Sequence, residues 1–362
     1  MRILLFFLLI GLLGCAGNQA STETEPTQRI DSLFSSIFKP GEPGGAVLLV
    51  RDGKIIYQKG FGIADVNTKE PITTKTLFNV GSISKTFVAY GILKLAKEGK
   101  LSLEDPVSKY FPDFANKDIA NKVKIFHLMT HSSGLPDSRK ITEDSVFYLT
   151  AKDEENFAPI KQTQQLNFEP GTKFEYSNPA FNGLALIIEK VSGIKWQKYI
   201  IDNIYKPAGM TESTITDGPH PESGVSHGYL YSNGKFYEKD YMEEPTFAAS
   251  GNGGVWSSVE ELWKYEQAVQ ANSFLDKEWI DKSRTIYPLS GWKDSLPSFM
   301  GLSWFITNVQ NLSRIGHIGS QGGFLADYVW LPDKKVFYVA LCNTPRPIYK
   351  MREQLFNILE LK

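Results

Sequence analysis

From residue 29 onward the apolar positions fall into two regimes, one helical and one of strand type. Ile30, Leu33, Phe34, Ile37 and Phe38 recur at helical spacing ahead of Lys39-Pro40-Gly41, which predicts an amphipathic helix over Arg29–Phe38. Ala46–Val50 and Ile55–Phe61 flank Asp52-Gly53, a pair suited to the positive φ angles of a tight turn, and predict a β-hairpin. Ser82–Lys97 is helical again, with Ile83, Phe87, Leu93 and Leu95 apolar and Gly99 as its stop. The middle of the chain, about 100–280, reads as helices and loops. Asn182–Val191 is one helical run, and Ser257-Ser258-Val259-Glu260 opens another with a capping box. Asn233-Gly234 predicts a second hairpin between Tyr229 and Tyr237. Strand-like runs return at Leu302–Thr307, Phe324–Leu331 and Lys335–Cys342, and an amphipathic helix over Ile348–Leu359 closes the chain. The ends are therefore α/β and the middle is mostly α. An antiparallel sheet covered by the terminal helices, with the helical middle as a second lobe, buries these faces, and the cleft between the lobes is where a site is expected.

The first residues differ in kind. Arg2 precedes an apolar run from Ile3 to Leu13, too short to span a bilayer as a mature helix, which predicts a signal peptide over residues 1–14. Leu12-Leu13-Gly14-Cys15 resembles the bacterial lipobox, in which the cysteine is acylated and becomes the new N-terminus. Cys15 is then a lipid anchor and residues 15–28 a flexible tether; a plain secretory signal with an incidental cysteine is the alternative. With Cys15 acylated, Cys342 is left without a partner for an intramolecular disulfide. Ala16 stands where an aspartate would favour the inner membrane, so an exported lipoprotein at the outer membrane or periplasmic face is expected.

Composition narrows the partners. The 362 residues are 42% hydrophobic and 22% charged, ordinary globular material, and 39 basic against 40 acidic residues without a Lys/Arg cluster argue against nucleic acid. Gly81–Thr86 lacks the glycines of a phosphate loop at Asn79 and Ser84. Five histidines without H-E-x-x-H or paired-cysteine spacing predict no metal, and no cofactor is expected.

Ser82-Ile83-Ser84-Lys85 sets a hydroxyl and an amine three residues apart on one helix face. A serine is too weak a nucleophile unless a neighbour takes its proton, and a lysine does this only when burial or nearby cations depress its pKa. Tyr176-Ser177-Asn178 and Gly316-His317-Ile318-Gly319 follow in order. With Leu101–Val107, His127–Pro136, Gly209-Met210-Thr211 and Gly251–Gly254, they make the chain from Val47 to Asn343 resemble the serine β-lactamase and penicillin-binding-protein superfamily, in its branch of class C β-lactamases, D-aminopeptidases and esterases.

This resemblance implies a two-lobed β-lactamase-like fold: an α/β lobe of about 29–100 and 285–362, and a mostly helical lobe of about 101–284. It implies that Ser82 forms an acyl-enzyme while Lys85 and Tyr176 move the proton, that Asn178 holds Lys85 and the substrate amide, and that the backbone N–H groups of Ser82 and Ser320, the latter just after Gly319, form an oxyanion hole. Read without the motif, Tyr176 is an aromatic anchor, Asn178 a turn residue before Pro179 and His317 a strand histidine. His127 and His131 read as structural residues at a helix start.

The third motif departs from the Lys-Thr-Gly of lactam-directed members. His317 is a poor permanent anchor for a carboxylate, so small peptide, amide or ester substrates, D-amino-acid or cell-wall derived, are expected ahead of β-lactams. Arg314 and Arg346 are the two arginines considered as replacement clamps. A binding or sensor lipoprotein that acylates slowly or never, and a true β-lactamase, are the alternatives.

Overall fold

Alternate residues of the central strands have two different destinations, and this organises the molecule. The computed structural model describes residues 24–139, 147–216, 223–238, 248, 250–291, 299–309 and 312–361. The predicted signal peptide and Cys15 lie outside them. Helix α1 (Thr24–Ile37) leads into strands β1 (Gly45–Arg51) and β2 (Lys54–Phe61). Helix α2 (Ser84–Lys97), helix α3 (Asn178–Ser192) and helix α4 (Val259–Gln270) belong to the middle of the chain. Strands β3 (Phe305–Val309), β4 (Leu312–Gln321), β5 (Phe324–Leu331) and β6 (Val336–Cys342) and helix α5 (Ile348–Ile358) follow.

The six strands form one antiparallel sheet in the order β2-β1-β6-β5-β4-β3. In β1, Ala46, Leu48 and Val50 join the core shared with the helical middle, while Val47 and Leu49 join a second core under α1 and α5. In β6, Phe337, Val339 and Leu341 face the first core and Tyr338, Ala340 and Cys342 the second. A sheet buried on both faces needs apolar residues on both, which is why these strands read as unbroken hydrophobic runs. Each fully buried Leu, Val or Phe contributes about 1.5–3 kcal/mol. The sheet is thus the rigid floor on which the rest is placed.

The first hairpin turns through Asp52 (φ 51°) and Gly53 (φ 75°). Helix α1 begins at Thr24, inside the stretch expected to be tether. Glu25 favours a helix N-terminus, and Pro26 is tolerated in a first turn, where its missing N–H has no helical partner to bond. Helix α3 starts at Asn178, four residues ahead of the predicted Asn182: Ser177 is its N-cap, accepting the Ala180 N–H at 3.3 Å, and Pro179 occupies the first turn. Ser258 caps α4 by accepting the Glu261 N–H at 3.2 Å, whereas the Glu261 carboxylate turns away to take the N–H groups of Glu212 and Ser213. Among the described residues no helix is long and apolar enough to cross a membrane.

Candidate active site

The site forms where the end of β4 passes the start of α2. Phe78–Asn79 pairs with Val255–Ser257, and the Val80 N–H bonds the Val255 carbonyl at 3.0 Å, which anchors the turn that follows. Gly81 takes φ 51° and its N–H is held by Asn79 Oδ1 at 2.8 Å. Ser82 therefore sits in a 3-10 turn, Gly81–Ile83, just ahead of α2 rather than within it. Its side chain opens to the cavity although the residue is only 9% exposed.

One helical turn on, Lys85 is completely buried with Nζ 3.0 Å from Ser82 Oγ. The same Nζ donates to the Asn252 carbonyl at 2.7 Å. Burial first, then the positive charge of Arg139, hold the Lys85 pKa well below its usual value, which favours the free amine a general base requires. The Tyr176 and Phe181 rings stand 5.2 and 5.8 Å from Nζ and close the amine off from water.

Asn252 reaches Lys85 because its loop is pinned from behind. The buried Asp153 accepts the Gly251 N–H at 2.8 Å, Asn182 Nδ2 at 2.8 Å and Trp196 Nε1 at 2.7 Å. Burial raises the Asp153 pKa to about 7, against the pull of these three donors.

Tyr176 lies at the cavity wall, 36% exposed, with its ring stacked on His131 at 4.3 Å. His131 grips the same segment from both ends: its carbonyl accepts the Glu175 N–H at 2.9 Å and its Nδ1 accepts the Ser177 N–H at 3.0 Å. Burial, then Lys85 and His317, hold its pKa well below normal, so the ring is neutral. His127 instead accepts the Lys124 N–H at 3.1 Å, at the start of helix Ile125–Met129. Both histidines orient a helix start, His127 at Ile125–Met129 and His131 at α3 through its N-cap Ser177, and His131 in addition supports Tyr176 from within the site.

Strand β4 supplies the opposite wall. A side chain at Gly319 would come within 1.9 Å of the Val80 carbonyl oxygen, and one at Gly81 within 2.7 Å of the Ser320 nitrogen. The two glycines let the Ser320 backbone lie directly against the turn that carries Ser82. Strand β3 pairs with β4 only as far as Phe305 opposite Gly316, so among the described residues no strand covers that edge of β4 along His317–Ser320, whose other edge pairs with β5. His317 is 2% exposed and Ser320 is exposed.

A cavity of about 490 Å³ joins these groups: Ser82, Tyr176, Asn178, His317 and Ser320 all line it. Lys85 lies under its floor and Gly319 behind its wall. Past the strand edge the cavity reaches Arg314, Asp327, Tyr349 and Arg352. Arg314 lines it in an ion pair with Glu353 at 2.7 Å. Arg346 lies elsewhere, donating to the Pro43 carbonyl at 2.9 Å, and is not a clamp for this cavity.

A family model described as Beta-lactamase matches residues 30–361. Penicillin-binding protein 4* of Bacillus subtilis is 28% identical over 87% of this chain, and Protein flp of Staphylococcus aureus is 28% identical over 91%. The chain spans 71% and 66%, respectively, of the length of these two relatives. The octameric penicillin-binding protein homologue from Pyrococcus abyssi superposes with a TM-score of 0.77 at 28% identity, covering 92% of this chain and 75% of that one. D-amino acid amidase from Ochrobactrum anthropi SV3 shares the fold with a TM-score of 0.75 at 19% identity, covering 92% and 98%. The chain belongs to the beta-lactamase family and is a serine hydrolase of its β-lactamase and penicillin-binding-protein group.

Proposed function

We propose that this protein cleaves small peptide, amide or ester substrates, with D-amino-acid derivatives foremost, through an acyl-enzyme on Ser82. The observation that carries this reading is the buried Lys85 amine, 3.0 Å from Ser82 Oγ with its pKa depressed. Lys85 takes the hydroxyl proton as Oγ attacks the carbonyl, and Tyr176, against the same amine, passes a proton to the leaving group. The N–H groups of Ser82 and Ser320 receive the oxyanion. Asn178 orients the substrate amide. Water then enters, Tyr176 acts as base, and the acid is released. The fold likeness to a D-amino acid amidase supports the choice of substrates.

A fluorophosphonate probe is expected to label the wild-type protein and to leave Ser82→Ala unlabelled; equal labelling of both would remove Ser82 from its role. Turnover is then read on D-amino-acid amides, D-Ala-D-Ala peptides, short p-nitrophenyl esters and a chromogenic cephalosporin. Stoichiometric binding without turnover of any of them would identify a sensor instead.

Export and acylation at Cys15 complete the proposal, on the strength of the apolar run ahead of it. Metabolic labelling with a palmitate analogue is expected to mark the full chain and to be lost in Cys15→Ala; label retained in that variant would refute the anchor.

A further inference from the structure

Helix α1 follows the length of β2. Just past its C-terminus, Phe38 stacks on Phe61, the last residue of β2, with ring centres 5.2 Å apart. Farther back along the helix, Asp31 accepts the Tyr57 hydroxyl at 3.0 Å and the Lys59 ammonium at 2.7 Å. At a rise of about 1.5 Å per residue, the helix start at Thr24 lies about 10 Å beyond Asp31, level with Lys54 and the Asp52-Gly53 turn. The chain therefore enters the folded body at the hairpin end of the sheet. The catalytic turn is at the other end: the register carries Phe61 to Gly45, Gly45 to Cys342, Cys342 to Leu325 and Leu325 to Ser320, which lies against the turn of Ser82.

From Lys54 to Phe61 the strand covers about 23 Å, and the four strand spacings from β2 to β4 add about 19 Å across the sheet. The two also lie on opposite faces: Val80 and Ile83, which flank Ser82, pack into the core shared with the helical middle, whereas Ile30 and Phe34 of α1 pack into the second core. The start of α1 and Ser82 thus occupy diagonally opposite corners of the sheet, about 30 Å apart. The chain from Cys15 to Thr24 spans at most about 32 Å when fully extended. For the cavity to touch lipid headgroups, that length would have to be drawn straight across the body. We propose that the anchor turns the Asp52-Gly53 end of the sheet to the membrane and the Ser82 cavity away from it, so that the enzyme takes substrates carried in the aqueous space and not those embedded in the bilayer. The inference rests on the acylation of Cys15 proposed above and adds the direction in which the site faces.

The test uses the acylated protein, extracted from membranes and reconstituted in phosphatidylcholine vesicles with energy acceptors on the headgroups. A donor fluorophore is placed at Asp52→Cys or at Lys173→Cys, an exposed position near Tyr176. Cys342 does not compete for the label, being buried with its thiol pushed up to about 12. The Asp52 donor is expected to lie nearer the acceptor plane by about 20 Å; equal distances or the reverse order overturn the proposal. A chain recovered without lipid on Cys15 refutes the anchor and with it the orientation, whereas a reversed order in the acylated chain refutes the orientation alone. The functional arm offers one D-alanyl ester on phosphatidylethanolamine, through a spacer of about 5 Å or a polyethylene glycol of about 50 Å. The long spacer is expected to be turned over about tenfold faster or more, because a link that cannot span the gap delivers almost no effective concentration. Inserting about forty Gly/Ser residues after Ala20 is expected to erase that difference. Equal rates on the two spacers in the wild-type protein overturn the proposal. If neither ester is hydrolysed the hydrolase reading fails, and the donor distances alone then uphold or overturn the orientation.

Discussion

The imidazole of His131 lies face to face with the phenol of Tyr176, ring centres 4.3 Å apart and planes 25° from parallel. His131 itself has φ 53°, a left-handed conformation that a non-glycine residue holds only when its surroundings fix it. Here the Glu175 and Ser177 N–H groups, one bonded to its carbonyl and one to its ring, fix it. His131→Ala would orphan the Ser177 N–H, costing about 1–3 kcal/mol, and release Tyr176. The expected result is a fall of about 10²-fold in kcat/KM for the best substrate, the order that a 1 Å misplacement produces. His131→Asn tolerates the backbone conformation and keeps an acceptor, so it is expected to retain more activity. Equal activity of Ala, Asn and wild type would detach His131 from the chemistry.

Gly319 faces the Val80 carbonyl oxygen at a distance that leaves no room for a methyl group. Gly319→Ala is expected to push β4 off the Ser82 turn and misplace the Ser320 N–H. Losing one oxyanion donor costs about 10²–10³ in kcat. Steady-state kinetics should show the loss in kcat rather than KM, with the circular dichroism spectrum unchanged. A normal kcat would mean that this contact does not set the oxyanion geometry.

The first hairpin was legible from its Asp52-Gly53 turn, α5 from its helical spacing, and β5 and β6 as short apolar runs bounded by turn residues. Strand β4 was not visible from periodicity. Its apolar residues Leu312, Ile315 and Ile318 recur every three positions, and Gly316, His317 and Gly319 occupy the places where a strand would ordinarily show bulk. Gly319 makes room for the Ser82 turn and His317 lines the cavity, so the function of the strand hides its pattern. Ser82, Lys85, Tyr176, Asn178 and His317 were legible as motifs because their side-chain chemistry is specific. Asn252 was recognised only within a glycine-rich string, since it serves Lys85 through a carbonyl that every residue type possesses. Asp153 gave no signal, because its three donors come from residues 29, 43 and 98 positions away in sequence.

Lys85, the base of the proposed mechanism, opposes folding. Its pKa is lowered on folding, so between the folded and unfolded values the unfolded chain binds the extra proton, and stability rises with pH through that window. Below the unfolded value, near 10.4, the buried amine therefore costs stability at neutral pH. Lys85→Met fills the same space without a charge. It is expected to abolish turnover and yet to raise Tm at pH 7, by about 2–4 °C for each kcal/mol recovered. The gap should narrow as the pH approaches 10. Thermal unfolding that leaves the variant less stable at every pH would show the amine to be a net contributor to the fold.

Asp153 couples stability to the base from the far side of the Asn252 loop. All three of its neighbours donate, so Asp153→Asn must turn an N–H₂ toward Trp196, Asn182 or Gly251, at a cost of about 1–3 kcal/mol. Its folded pKa, raised to about 7, means that folding takes up a proton between the unfolded carboxylate value and pH 7. The stability this confers is complete below the unfolded value and is lost as pH rises through 7, a slope the Asn variant should lack. The catalytic signature is separate. The Asn252 carbonyl bonds the amine of Lys85 and favours its charged form, so loosening that loop lowers the Lys85 pKa further. The acid limb of the kcat/KM profile in Asp153→Asn is therefore expected to move to lower pH. A lower Tm with the acid limb unmoved would confine Asp153 to the scaffold.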